Sequence, residues 1–241
     1  MVIELGEVGQ WPQGVQRLVD ERIHSGRSSD ENNRADEQSI RAMFNGMVVR
    51  AYHCARYLDH EVASIRADGL RIATKDLFDE RIKRAGEAGA ISMSFRDQLL
   101  SRHALSEGDD SSNAHGRVGV TCFAVPRSYL NSRLGASENA LGGCLTWWGG
   151  EALFTGCDDT TKKILSAVGR PSIVVATFDI SRWLGLQKYI SLLSLCIAIR
   201  NRRPDAASEI LWPETITAKN IEEIWHPGDA DYDAMDKLPR S

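Results

Sequence analysis

The sequence predicts an α+β fold. Charged, helix-like segments dominate the first hundred residues, and strand-like runs such as VGVTCFAV and PSIVVATFDI come later. Nowhere do strand and helix alternate in the regular way that builds a parallel sheet. With 42 % hydrophobic and 26 % charged residues over 241 positions, the chain can bury a sizeable core as one large domain or a domain with an appended arm.

The elements follow in order. Residues 1–24 mix Gly and Pro with a short helical pattern of Val15, Leu18, Val19 and Ile23. SGRSSDENNRADEQ (25–38) is poor in apolar residues and reads as a loop or linker. A short helix with Ile40, Met43 and Phe44 on one side follows, ending at Asn45-Gly46, so residues 1–45 form an arm ahead of a domain spanning 46–241. MVVRAYHCARYL (47–58) is rich in strand formers and predicts a buried strand. DHEVASIRADGL predicts one short helix, with Asp59 as its cap, Glu61 in the first turn, Val62 and Ile65 on one face and Gly69 as the stop. Residues 75–105 continue as one or two charged helices, and 107–117 is a loop by composition. The run 118–125 is a buried strand closed by Pro126, and 171–180 is the clearest strand of the chain. Residues 190–199 are apolar enough for strand or helix. RNRRPD (200–205) is a basic turn, and SEILW enters a strand that Pro213 stops.

Bulk properties exclude several function classes. The net charge of −4 and pI near 5.9 give no global basic field for nucleic acid, leaving local patches such as Arg200, Arg202 and Arg203. Five scattered cysteines without a CxxC pair argue against a disulfide framework or a zinc site and suit a reducing cytosol. The opening VIELGEVGQW lacks a signal peptide's basic and apolar regions, and the longest apolar run is too short for a bilayer, so a cytoplasmic protein without membrane contact is expected. No GxGxxG, P-loop, HExxH or GxSxG occurs.

Four places carry possible chemistry. Glu209 is a carboxylate at the mouth of an apolar strand, where a charge must be paired, exposed or at work. Tyr52-His53 ends a strand just before a helix, as a ligand donor or as a histidine satisfied by backbone. Arg127 after Pro126 suits either a forked phosphate clamp or a surface position. Glu151 follows two tryptophans and two glycines, which can admit a flat ligand or form a tight apolar turn.

Taken in order, YHCARYLDHEVASIRADGL, VTCFAVPRSYL and ASEILWPETITAKNIEEI resemble the ADP-ribosyltransferase-like superfamily, in its toxin and phage-defence branches. The resemblance covers about a quarter of the chain and leaves out residues 1–45 and 75–105. It implies a split, mostly antiparallel sheet with flanking helices. It also implies a metal-independent enzyme that cleaves NAD and moves ADP-ribose to DNA, RNA or protein, with an antitoxin or other partner protein in prospect. Glu209 would steady the ribose as nicotinamide leaves, an oxocarbenium-like step that a fixed anion favours. Tyr52, His53, Arg56, Phe123, Arg127 and Glu151 would line the NAD site. Ala207, two places before Glu209, departs from the Glu-x-Glu pattern of the arginine-modifying branch, and no Ser-Thr-Ser triplet occurs. Two alternatives stay open: a binding or sensing module partnered through residues 1–45, and an RNA 2′-phosphotransferase-like enzyme.

Overall fold

The computed structural model describes residues 1–25, 30–102, 119–128, 130, 144–154, 157–180, 191–202 and 208–235. Its described strands form one mixed, mostly antiparallel sheet, and the architecture is α+β. The strands are β1 (Val2–Ile3), β2 (Val48–Tyr57), β3 (Thr121–Val125), β4 (Arg170–Asp179), β5 (Ser208–Trp212) and β6 (Ile221–Trp225). Their order is β5-β3-β2-β4-β6, with β1 added parallel to the start of β2 through Val2↔Val48 and Ile3↔Val49. The longest pairing runs from Val48↔Asp179 to Tyr57↔Arg170, which sets β2 and β4 at the centre. Both read as strands because Val, Ile, Tyr and Thr fill a pleat buried on two sides.

Alternation along β2 divides the core. Val49, Ala51 and Tyr57 face a first cluster. It is covered by α1 (Gln13–Ser25), α2 (Asp30–Met43), α3 (Asp59–Asp68) and α8 (Leu192–Arg200). Tyr52 and Cys54 face a second cluster with Leu130, Leu145, Trp225 and Tyr232, the last in α9 (Ala230–Asp233). A third cluster packs α4 (Lys75–Glu87), α5 (Met93–Arg102), α6 (Glu151–Phe154) and α7 (Asp159–Ala167) around Trp148.

Two expectations change, and two open points are filled in. The stretch expected as a loop over 25–38 contains the first half of α2. Its polarity reflects ionic fixation: Asp36 pairs with Arg22 of α1, and Glu37 accepts from Ser191 Oγ and the Leu192 and Leu193 N–H groups, capping α8. Trp11, Val15, Val19, Ile40 and Phe44 share the first core with β2, so the helices of the 1–45 arm are built into the sheet's main core. The ambiguous 190–199 stretch is helical, with Ser191 capping Ser194. Asp59 does not cap α3; the Glu61 carboxylate reaches back to the Leu58 N–H at 2.8 Å.

Gly69 closes α3 with φ of 94° and ψ of −179°, a conformation essentially reserved for glycine. The next residue forms a two-way bridge with Ile216, Leu70 N–H to Ile216 O at 2.8 Å and the reverse at 2.9 Å. The helix after β2 is thereby tied to the turn after β5.

Candidate functional site

A cavity of about 190 Å³ opens between the C-terminal half of β2, the start of β3, α3, α4 and residues 144–152. Its walls are mostly apolar, with His53, Tyr57, Glu61 and Arg81 among the buried or half-buried polar groups.

His53 stands on β2 and is held at both ring nitrogens. Nδ1 lies 2.9 Å from the Cys122 carbonyl and Nε2 lies 2.9 Å from the Tyr57 hydroxyl. A carbonyl only accepts, so Nδ1 carries a proton and Nε2 receives the Tyr57 hydrogen. Burial pushes the Tyr57 hydroxyl's pKa up, which keeps it a donor. Phe123 supports the imidazole from the core at 5.6 Å between ring centroids and meets Phe178 edge to face.

Arg81 and Glu61 form the other wall. Arg81 Nε donates to Glu61 Oε1 at 2.5 Å, and its side chain is 15 % exposed. The guanidinium lies 5.3–5.4 Å from the ring centres of Tyr57, Phe78 and Trp148. Glu61 Oε2 takes the Leu58 N–H and the Trp148 Nε1–H at 3.1 Å. Burial works against both charges, but each stabilises the other, so Glu61 is held below and Arg81 above its ordinary pKa.

The structure distributes the sequence-predicted residues over two faces of the sheet. His53 lines the cavity; Tyr52, Arg56, Phe123 and Arg127 do not. Tyr52 is fully buried on the other face, its hydroxyl donating to Glu4 Oε1 at 2.6 Å. Arg56 spends its fork on the carbonyls of Leu145, Val168 and Gly169. Arg127 pairs with Asp231 at 2.8 Å and stacks on Trp225 at 4.8 Å. Phe123 is core. Gly149 and Gly150 reach the cavity wall ahead of Glu151, whose side chain lies outside the described residues, as does that of Glu209.

The backbone register places Glu209 nonetheless. Glu209 pairs with Ala124, and Ala124 with Tyr52, so these three share one row. Ile210 pairs with Phe123, whose row is that of His53. Glu209 and His53 therefore belong to adjacent register rows, two strands apart.

Sequence reasoning missed Glu61 and Arg81. A signal was present: Phe78, Arg81, Ile82 and Ala85 fall at i, i+3, i+4 and i+7, which sets Arg81 within the apolar stripe of its helix. Among the described residues no group of three or more His, Cys, Asp or Glu side chains suits a metal ion, and no helix is long and apolar enough to cross a membrane. Comparison with protein-family models, curated proteins and solved structures found nothing that matches the chain.

Proposed function

We propose that the chain is an ADP-ribosyltransferase of the ADP-ribosyltransferase-like fold, cleaving NAD and passing ADP-ribose to a macromolecule. The observation that carries this reading is strand adjacency. The three segments on which the resemblance rests lie side by side as β2, β3 and β5, and their flanks meet at the Leu70–Ile216 bridge. β2 and β5, more than 150 residues apart in sequence, thus stand on either side of β3, with a spacing of about 4.8 Å per strand step. In this reading the cavity beside His53 receives part of NAD, and the β5 mouth supplies the Glu209 carboxylate to the ribose. That anion stabilises the charge that grows as the glycosidic bond to nicotinamide breaks. The acceptor is DNA, RNA or protein.

Incubation with labelled NAD and cell lysate tests the proposal. Release of nicotinamide with label on material sensitive to nuclease or to protease is the expected outcome, and the sensitivity identifies the acceptor class. Intact NAD after prolonged incubation would count against it.

A second reading, a pocket that binds an NAD-like ligand without chemistry, is favoured by His53, whose two ring nitrogens are already engaged by the Cys122 carbonyl and the Tyr57 hydroxyl. Calorimetry separates the two readings: saturable NAD binding with no nicotinamide release supports the binding module.

A further inference from the structure

We propose that the cavity takes a phosphoryl-bearing ligand and that Arg81 is the residue on which the phosphate docks. The inference deepens the proposed function, since it rests on the same cavity, but it involves none of the residues carried by the resemblance. Arg81 uses Nε on Glu61 and reaches the Arg56 carbonyl with Nη2 at 3.4 Å. Its Nη1 makes no hydrogen bond among the described residues and is not sealed off from solvent, while the residue lines the cavity. An arginine kept solely to tie α3 to α4 has no need of an unshared donor beside a hollow.

The setting suits an anion. Three aromatic faces and Glu61 hold the guanidinium plane, so little side-chain entropy is lost when a ligand binds. The apolar walls lower the local dielectric and strengthen a charge-assisted bond. At the rim, Arg71 and Arg84 share Glu80 at 2.7 and 3.6 Å. Three arginines (71, 81, 84) against two glutamates (61, 80) leave a formal +1 on the lining of a chain whose net charge is −4. A group with several oxygens can bridge Arg81 and the rim, which a single carboxylate does less well.

Calorimetry on the full chain with pyrophosphate, ADP-ribose, adenosine and acetate tests this. Arg81→Lys keeps the charge facing Glu61 but removes the planar fork. It should weaken pyrophosphate and ADP-ribose about 10- to 100-fold and leave adenosine unchanged. Arg84→Gln, at a half-exposed rim position, should weaken pyrophosphate by a smaller, salt-dependent factor. Should Arg81→Lys fail to fold, side-chain NMR of the unmodified protein decides, because added pyrophosphate must shift the Arg81 guanidinium signals. No pyrophosphate binding, equal binding of acetate, equal affinity in a folded Arg81→Lys protein, or unmoved Arg81 signals would each overturn the proposal. Pyrophosphate docking on Arg81 without nicotinamide release would keep the anion site and remove the transferase. Nicotinamide release with Arg81→Lys binding pyrophosphate normally would do the reverse.

Discussion

Replacing Glu61 by glutamine is the sharpest structural probe of the cavity wall. The carboxylate is 8 % exposed and serves three donors at once: Arg81 Nε, Leu58 N–H and Trp148 Nε1–H. A glutamine oxygen can still accept from the two neutral donors, but its amide then faces the guanidinium with no charge to offer. Breaking a buried ion pair from one side costs about 3–5 kcal/mol, because the remaining charge stays buried. That is a large share of the 5–15 kcal/mol typical of a folded domain. With a urea slope of about 2–3 kcal/mol per M, the unfolding midpoint should fall by roughly 1–2 M at pH 7. Tryptophan fluorescence reads the transition directly, since Trp148 is among the donors.

The same group predicts an acid dependence. Burial alone would raise the Glu61 pKa, but Arg81 and the hydrogen bonds hold it below the ordinary 4.5. The unfolded chain therefore binds this proton at higher pH than the native one. The stabilisation is present above 4.5 and is lost as pH falls through the lower native value. The glutamine variant should lack this part of the acid slope. A midpoint within about 0.3 M of the unmodified protein, with an unchanged acid slope, would refute the assignment of Glu61 and Arg81 as a buried, mutually dependent pair.

Two further expectations concern other parts of the fold. Gly69→Ala forces a side chain into a glycine-only conformation and sets its Cβ 1.9 Å from the Ile216 carbonyl oxygen, so a loss of about 3 kcal/mol or more should appear in urea unfolding; a loss under about 0.5 kcal/mol would mean that the bridge to Ile216 is not held as described. His226 bonds Ser172 through Nδ1, while its buried Nε2 has no hydrogen-bond partner among the described residues. Burial first, then the Arg170 charge, pull its pKa below 6.5, so stability should decline as pH drops from 6.5 toward that lower value, and His226→Gln should flatten the decline between pH 7.5 and 5.5.

Much of the fold was legible because β2, β3 and β4 are dense in strand-forming residues bounded by Gly or Pro, and α3 carries its own stop at Gly69. The first half of α2 was hidden because its order comes from Arg22, Asp36 and Glu37 pairing across elements, which no local apolar period announces. The helix over Leu192–Arg200 was hidden for the opposite reason, since LLSLCIAI is apolar all round and has no contrasting face. At the site, alternation along β2 already separates Tyr52 from His53. The row that Glu209 joins depends on inter-strand register, which a single strand's pattern does not encode. Arg127 and Arg56 read as ligand-site candidates because their partners, Asp231 and the carbonyls near 145 and 168, lie about 90 residues or more away in sequence.

Release of nicotinamide from NAD, followed by NMR for the unmodified chain and for Glu209→Gln with matched thermal unfolding, bears most directly on the function assigned to this sheet. The account predicts steady release by the unmodified protein and a rate lower by about 10²–10³ in the glutamine variant. NAD left intact by both, or equal release from a well-folded variant, would contradict it.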